Sequence, residues 1–165
     1  MARNFMCTKT DPVVETKAGK LRGFQLDGTY AFHGVKYADA KRFHQPTPVE
    51  PWEGIKNALA YGYVCPMLQQ DQPSNELMVP HRYWPLDENC QYLNIWTQHL
   101  DPNAKKPVLV WLHGGGFAAG SSIEHIAYEG ENMSKYGDVV VISLNHRLNI
   151  LGYLDLSPFG EEYKN

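Results

Sequence analysis

The sequence contains 165 residues, of which 43% are hydrophobic and 20% are charged, and its formal net charge is −3. This length and composition predict one ordinary globular domain with a packed core, and the slight excess of acid predicts no nucleic-acid surface. No apolar run reaches transmembrane length and the start of the chain lacks the hydrophobic stretch of a signal peptide, so we expect a cytoplasmic protein without a membrane partner. Three cysteines without a C-x-x-C pair, and seven histidines without ligand spacing, predict neither a metal nor a cofactor.

Short segments of strand character begin the chain. Residues 13–17 and 21–26 flank Ala18-Gly19 and predict a β-hairpin, and residues 29–35 predict a third strand after Asp27-Gly28. Such small antiparallel strands typically lie at the edge of a sheet.

Residues 41–91 have a different texture, with frequent prolines and few periodic runs. Only residues 54–61 predict a short helix within the first part of this segment. The segment also carries aromatic residues that need a surface to pack against. We therefore predict an irregular loop region that forms the rim or wall of a pocket, and not a linker.

Regular patterns return after this loop. Residues 92–97 alternate like a half-buried strand, residues 107–112 read as a buried strand opened by a proline, and residues 139–144 as a fully buried strand. Between the last two strands, residues 124–136 predict a helix. Its predicted cap is Ser121 or Ser122, and its predicted buried stripe is Ile123, Ile126, Ala127 and Met133. Strand, helix and strand in this order predict an α/β fold with a parallel sheet covered on both faces.

The strand at residues 107–112 leads into three consecutive glycines, Gly114-Gly115-Gly116. Glycines reach positive φ and leave no side chain between the peptide N–H groups and an approaching atom. Such a turn at the end of a strand can therefore direct several N–H donors at one anion or oxyanion. A merely flexible turn is the plain alternative.

Two nucleotide-binding alternatives fit the glycines poorly. The spacing from Gly115 to Gly120 suits a phosphate loop, but Ser121 stands where that loop needs a lysine. A dinucleotide fingerprint is matched by three small residues, Gly114, Gly116 and Ala119. The strand that follows ends without the acidic residue that would hold a ribose, so this interpretation is also weak.

The segment His113-Gly114-Gly115-Gly116-Phe117 after a buried strand resembles the oxyanion-hole motif of α/β-hydrolase esterases. Five further segments resemble, in family order, motifs of the type-B carboxylesterase and cholinesterase-like group. They are residues 32–38 (F-x-G-I-P-Y-A), Arg42-Phe43 with Trp52-Glu53-Gly54 (R-F-x-x-P…W-x-G), Cys65-Pro66 (C-P), residues 88–95 (E-D-C-L-Y-L-N-I) and residues 145–148 (N-Y-R-L). Four departures indicate a divergent member whose substrate preference stays open: Lys36 replaces proline, Asn89 aspartate, Gln91 leucine and His146 tyrosine.

The resemblance implies that residues 1–165 are the N-terminal portion of one α/β-hydrolase domain, with a mostly parallel central sheet and antiparallel N-terminal edge strands. In this family a serine on a G-x-S-x-G elbow attacks an ester, a histidine moves its proton and an acid orients the histidine. None of the six serines here lies in such an elbow. The resemblance therefore places the catalytic serine, acid and histidine in a missing C-terminal portion, present as a second polypeptide. Alone, this chain is expected to be inactive.

The resemblance also implies roles for residues of this chain. The backbone N–H groups of Gly115 and Gly116 would bind the oxyanion of a small ester substrate, and Gly114 would belong to the same loop. Candidates for the substrate pocket are Phe117, Trp84 and Tyr83, whereas His113 is expected to be structural. Without the nucleophile's strand, residues 107–112 would form an open apolar edge. A non-catalytic binding domain of the cholinesterase-like type is the alternative function.

Two residue pairs are implied by the same comparison. In secreted relatives the cysteines that match Cys65 and Cys90 form a disulfide. Here we expect these two cysteines to be close in space but reduced, because the chain shows no export signal. Arg42 and Glu88 are expected to form a buried ion pair that tethers the loop.

Overall fold

The computed structural model describes residues 3–67 and 81–163. Its strands, in chain order, are β1 (Phe5–Met6), β2 (Val13–Glu15), β3 (Lys20–Arg22), β4 (Phe24–Leu26), β5 (Thr29–Lys36), β6 (Ile55–Asn57), β7 (Tyr92–Thr97), β8 (Val108–Leu112) and β9 (Val140–Leu144). The helices are α1 (Glu131–Gly137), between β8 and β9, and α2 (Asn149–Tyr153), after β9. Short 3-10 turns lie at Pro102–Ala104, Ile126–Tyr128, Ser157–Phe159 and Glu161–Tyr163.

The larger sheet is mixed and has the strand order β1-β4-β5-β7-β9-β8. Neighbours from β1 to β9 are antiparallel, and β8 runs parallel to β9, with Val108 opposite Val140 and Leu112 opposite Leu144. The predicted parallel strand–helix–strand unit is thus confirmed for β8, α1 and β9. The predicted antiparallel strands at the N-terminal side of the sheet are confirmed as well.

A small second sheet contains β2, β3 and β6. The predicted hairpin across Ala18-Gly19 is confirmed by the antiparallel pairing of β2 with β3. The helix predicted for residues 54–61 is wrong, because Ile55–Asn57 pairs in parallel with β3 and forms β6. Two features explain this result: Gly54 has a φ of 77°, and the side-chain oxygen of Asn57 accepts a hydrogen bond from Arg22 Nε at 2.9 Å.

The helix predicted for residues 124–136 is shorter than its pattern indicated, because α1 begins only at Glu131. Gly130 packs so closely on the sheet that a Cβ there would lie 2.6 Å from the Cβ of Val141, and Glu129 before it is extended. Gly130 is therefore the N-cap, and not Ser121 or Ser122. Part of the predicted buried stripe is also wrong: Ile123 is buried, whereas Ile126, Ala127 and Met133 are exposed.

The core lies on both faces of the larger sheet. One cluster contains Phe24, Ala31, Trp96 and Val141, and the other contains Leu21, Phe32 and Ala58. The first cluster follows from the strand register, since Ala31 lies opposite Trp96 and Trp96 lies opposite Val141. The sheet thereby fixes the carboxyl ends of β8 and β9, where the glycine loop and residues 145–148 begin.

The strand β8 has a strand neighbour on one side only among the described residues. Its Val108, Val110 and Leu112 are exposed. These residues alternate along the strand and therefore share one face of the sheet. The open apolar edge expected from the sequence is thus present. None of the described helices is long and apolar enough to cross a membrane.

Candidate active site

The glycine run forms a tight turn at the carboxyl end of β8. Gly115 has a φ of 117° and its carbonyl oxygen accepts hydrogen bonds from the N–H groups of Ala118 and Ala119, each at 3.1 Å. A Cβ at Gly115 would lie 2.0 Å from the carbonyl oxygen of Ala119, so only glycine fits there. Gly116 and Phe117 both have a φ of 62°, which is unusual for a phenylalanine.

This turn leaves peptide donors free. Within residues 3–67 and 81–163, no group accepts a hydrogen bond from the N–H of Gly115 or Gly116. Gly114, Gly116 and Phe117 line a cleft of about 520 Å³ between the glycine loop and the segment after β9. Gly115 is exposed beside this cleft but does not line it.

Two stacked histidines form part of the cleft wall. The rings of His113 and His146 are nearly parallel, with centroids 4.9 Å apart. His113 Nδ1 donates to the carbonyl oxygen of Gly114 at 2.8 Å, which fixes the tautomer because a carbonyl can only accept. Burial lowers the pKa of His113, so this imidazole is neutral near pH 7. His113 therefore holds the first peptide of the turn in place.

The first residue of helix α2 holds the far end of the glycine loop, at Phe117, in place. The N–H of Asn149 donates to the carbonyl oxygen of Phe117 at 2.7 Å, and its side-chain amide donates to the carbonyl oxygen of Pro66 at 2.9 Å. The Phe117 ring is 68% exposed and contacts Tyr153 edge-on, with centroids 5.1 Å apart. The loop thus presents an aromatic side chain to the cleft.

Sequence reasoning missed one residue of this cleft as a binding candidate. Gln91 lines the cleft and is only 2% exposed, yet its Oε1 and Nε2 have no hydrogen-bond partner in the described part of the chain. The only sequence signal was that Gln91 replaces the leucine of E-D-C-L-Y-L-N-I. On the same wall, the Tyr37 hydroxyl donates to the carbonyl oxygen of Asn145 at 2.8 Å, and burial raises its pKa to about 12.

Tyr83 and Trp84 line a different cavity of about 140 Å³ and do not lie with Phe117. Ala119 and Gly120, at the end of the glycine loop, line this second cavity too. Trp84 is held in place because its Nε1 donates to the carbonyl oxygen of Tyr61 at 3.2 Å. Five of the six predicted site residues are therefore divided between two neighbouring spaces at this loop, and Gly115 lines neither of them.

A cluster of polar side chains holds the wall of the second cavity in place. Arg82 Nη1 donates to Glu129 Oε1 at 2.6 Å, and the Tyr61 hydroxyl donates to the same oxygen at 3.2 Å. Burial is the main reason that the pKa of Tyr61 is raised to about 12, so the hydroxyl stays a donor. Across the described ranges, no three His, Cys, Asp or Glu side chains are grouped to hold a metal ion.

Comparison with known proteins places this arrangement in a family. A sequence profile of the carboxylesterase family matches residues 10–161. The chain belongs to this family. It is 37% identical over 161 residues to the para-nitrobenzyl esterase of Bacillus subtilis (strain 168), covering 94% of this chain and 32% of that relative. It is 40% identical over 150 residues to the phenmedipham hydrolase of Pseudarthrobacter oxydans, covering 88% and 30%.

Solved carboxylesterase structures share the fold. One of them, described as an esterase from anaerobic Clostridium hathewayi that can hydrolyze aliphatic aromatic polyesters, superposes with a TM-score of 0.93 at 66% identity. That match covers 98% of this chain and 32% of that protein. The predicted α/β-hydrolase class is thereby confirmed. The chain spans about a third of the length of the relatives that it matches.

The cysteine pair expected for this carboxylesterase family member lies behind the cleft. Cys65 and Cys90 are buried in one cluster with Leu148, and both are free thiols. The expected closeness of the two cysteines is confirmed. Cys65 Sγ also accepts a hydrogen bond from the N–H of Leu148 at 3.1 Å. The contact with Cys65, together with burial, raises the pKa of the Cys90 thiol.

The expected ion pair of Arg42 with Glu88 is present but not buried. Arg42 Nε donates to Glu88 Oε2 at 2.7 Å, and a second contact joins Nη2 to Oε1. The Arg42 side chain is 63% exposed, because the pair lies on the surface of the loop and not beneath it. Since exposed ion pairs contribute at most about 1 kcal/mol, this pair orients the loop more than it stabilises the fold.

Proposed function

We propose that this chain is the N-terminal portion of a serine carboxylesterase, and that its part in the reaction is the oxyanion hole. The observation that carries the proposal is the pair of unbonded peptide N–H groups at Gly115 and Gly116, held by a positive-φ turn beside a cleft. Donors fixed before the reaction stabilise a developing negative oxygen without further reorganisation.

The catalytic serine is proposed to come from the remainder of the enzyme. Ser121, Ser122, Ser134 and Ser143 are buried, and Ser74 lies outside the described residues. No serine of this chain is in a G-x-S-x-G elbow. The acid and the histidine of the triad are assigned to the same remainder, so the chain alone is expected to be inactive.

The proposed reaction is acyl transfer through a covalent intermediate. The serine hydroxyl attacks the ester carbonyl while the histidine takes its proton, and the carbonyl oxygen becomes an oxyanion that accepts from Gly115 and Gly116. Collapse of this intermediate expels the alcohol, which receives the proton, and leaves an acyl-enzyme. Water then releases the acid by the same two steps.

The substrates are proposed to be carboxylic esters. Phe117 would contact the ester in the cleft, and Tyr83 and Trp84 would contact it from the second cavity across the glycine loop. The Bacillus subtilis relative is described as a para-nitrobenzyl esterase, and the Clostridium hathewayi esterase as one that can hydrolyze aliphatic aromatic polyesters. Both descriptions favour bulky esters with an aromatic part as substrates.

The partner of this chain is proposed to be the C-terminal portion of the same enzyme as a second polypeptide. The open edge of β8 supports this partner because an additional strand there would pair with its free backbone groups, and a segment packed on the face would cover the exposed Val108, Val110 and Leu112. An edge of this kind is otherwise prone to aggregation.

A chimera tests the proposed function. Residues 10–161 replace the corresponding segment of the esterase from Clostridium hathewayi, and hydrolysis of p-nitrophenyl butyrate is measured. The substitution Gly116→Ala should lower kcat by about tenfold or more, because the added methyl group strains the turn and enters the cleft.

The matched control is Gly54→Ala in the same chimera. Gly54 also has positive φ and open space around it, but it directly precedes β6 and does not line the cleft. This variant should keep the parental kcat. A Gly116→Ala chimera as active as the parent, or ester hydrolysis by the purified 165-residue chain alone, would contradict the proposal. Replacement of the elbow serine in the natural remainder would favour a non-catalytic binding domain.

A further inference from the structure

The first peptide of the glycine loop takes its direction from one side chain. The carbonyl oxygen of Gly114 and the N–H of Gly115 belong to the same peptide, which is planar and trans, so they point in opposite directions. His113 Nδ1 donates to this carbonyl oxygen at 2.8 Å. The bond that fixes the Gly114 carbonyl therefore also sets the direction of the Gly115 N–H.

The second donor of the loop is fixed by the backbone. The N–H of Gly116 shares a peptide with the carbonyl oxygen of Gly115, and that oxygen accepts from the N–H groups of Ala118 and Ala119. The turn itself thus sets the direction of the Gly116 N–H. Of the two proposed oxyanion donors, Gly115 is the one whose direction depends on an imidazole ring.

The ring of His113 is held by its neighbours. Rotation of this ring about its Cβ–Cγ bond would break the hydrogen bond to Gly114. The ring of His146 lies against one face, with centroids 4.9 Å apart and an interplanar angle of 11°. Beside Nδ1, the backbone of Gly120 is so close that a Cβ there would lie 2.8 Å from this nitrogen. The stacked ring of His146 therefore opposes rotation of the His113 ring.

His146 is fixed in turn by two contacts. Its Nδ1 donates to the carbonyl oxygen of Arg147 at 2.9 Å, and its ring meets that of Tyr153 edge-on, with centroids 6.4 Å apart. Tyr153 also contacts the Phe117 ring. His146 and Tyr153 thus join His113, the first residue of the HGGGF segment, to Phe117, the last.

We propose that His146 is a positioning residue of the oxyanion hole, which acts through the His113 ring. The inference rests on the proposed function, since it adds a residue to the same site. Without a ring at position 146, the His113 imidazole takes further orientations and the Gly115 N–H is correctly directed only part of the time. Because the oxyanion forms only after the serine has attacked, the loss falls on kcat and not on KM.

Three variants of the chimeric enzyme separate the ring of His146 from its hydrogen bond. His146→Asn keeps an N–H near the position of Nδ1 but lacks the ring. It should lower kcat for p-nitrophenyl butyrate by about five- to twentyfold and leave KM within about twofold, a smaller loss than the roughly 100-fold expected when an oxyanion donor is removed. His146→Phe and His146→Tyr keep a stacking ring and should retain kcat within about twofold of the parent.

Inhibition by a trifluoromethyl ketone gives a second measurement. The serine oxygen adds to the ketone carbon and the histidine takes the serine proton, so the bound inhibitor carries an oxyanion in the hole. His146→Asn should raise the inhibition constant by about the factor that it lowers kcat. An inhibition constant does not depend on the fraction of the enzyme that is folded, so a merely structural role of His146 would leave it unchanged.

The matched control is His44→Asn in the same chimera. His44 Nδ1 also donates to a backbone carbonyl oxygen, that of Arg42 at 2.8 Å, and its ring also contacts a tyrosine, Tyr163. His44 lines a different cavity, of about 560 Å³. This variant should keep the parental kcat and inhibition constant.

The remaining outcomes contradict the inference. If His146→Asn raises KM alone, His146 contacts the substrate, and if it keeps the parental kcat, the ring has no part in positioning. If all three variants lose kcat equally, the stacked ring is not the responsible feature. In each case a Gly116→Ala chimera that has lost activity leaves the proposed function standing. A parent chimera that hydrolyses no ester would overturn the proposed function and this inference with it.

Discussion

At the scale of single residues, His33 is a buried imidazole whose protonated form would be poorly solvated. Its ring stacks on Tyr61 with centroids 4.3 Å apart and meets Phe24 and Trp96 at steep angles. Its Nε2 is buried and has no hydrogen-bond partner in the described part of the chain. Burial lowers the pKa of His33 to about 4, and the nearby carboxylate of Glu129 opposes this shift only in part.

The pKa of His33 predicts a loss of stability in mild acid. In the unfolded chain the imidazole takes up a proton at its ordinary pKa of 6.5, whereas in the folded chain it does so only near 4. The unfolded state therefore binds more protons between these values, and the free energy of unfolding falls by about 2–3 kcal/mol as the pH drops from 6.5 to 4.

Urea unfolding of the chimeric enzyme at pH 7 and pH 4.5 measures this effect. His33→Gln should narrow the difference in unfolding free energy between the two pH values. His99→Gln is the comparison: its ring lies 3.5 Å from Asp138 at the surface, where an exposed pair contributes little to stability, so the difference should change less than in His33→Gln. An unchanged pH dependence in His33→Gln would show that the imidazole is not the responsible group.

The residue scale also shows what the sequence could predict of the site. The glycine run indicated free peptide donors beside a cleft, because glycines reach positive φ and place no side chain over their own N–H groups. The sequence could not predict which cavity Tyr83 and Trp84 line, because this depends on the path of residues 81–91 in the folded chain. Gln91 was recognised only as a departure, because the absence of a partner for a buried amide is a property of the tertiary structure.

At the scale of elements, one glycine divides a strand between two sheets. Residues 21–26 predict a single strand, but β3 ends at Arg22 and β4 begins at Phe24. Gly23 lies between them, and its N–H donates to the carbonyl oxygen of Pro12 at 3.0 Å. A Cβ at Gly23 would lie 2.3 Å from the carbonyl oxygen of Ala31 and 2.7 Å from the Phe32 ring.

Substitution of Gly23 should therefore disturb both sheets. Gly23→Ala is expected to lower the free energy of unfolding by about 2–4 kcal/mol, because the methyl group overlaps backbone that cannot move without breaking the β4–β5 pairing. Gly28→Ala is the comparison: it has a φ of 86° with open space around it, so only the conformational term of about 1 kcal/mol applies. If both substitutions lower the free energy of unfolding in urea by the same amount, the close contacts of Gly23 do not account for the loss.

Hydrophobic patterns predicted strands better than they predicted helices. Residues 92–97, 107–112 and 139–144 agree with β7, β8 and β9 within one residue at each end, because a short apolar run between breakers has few alternatives. The helix at residues 124–136 was predicted too long, since close packing of Gly130 on Val141 could not be read from periodicity. An apolar stripe predicts that one face of an element is buried, but it does not predict whether the residues that bury this face belong to the same chain.

At the scale of the whole molecule, the larger sheet ends at an apolar strand. The parallel partner β9 covers one edge of β8, and the other edge has no strand beside it in the described residues. Such an edge binds either copies of the same chain or a strand supplied by another polypeptide. These two associations compete for one surface, so a single charge at that surface should affect both.

The substitution Val110→Lys tests both associations. Val110 is 52% exposed on the face shared by Val108 and Leu112. In the isolated chain, a lysine there should reduce self-association, which size-exclusion chromatography with light scattering measures, because like charges would face each other across the edge. In a mixture with the C-terminal portion of the Clostridium hathewayi esterase, Val110→Lys should lower the recovered ester hydrolysis at least tenfold, because assembly would bury the ammonium group.

Ile55→Lys, on the exposed strand β6, should change neither measurement. A parent chain that stays monomeric at high concentration, or a Val110→Lys chain that recovers activity as well as the parent, would show that β8 is not the assembly edge.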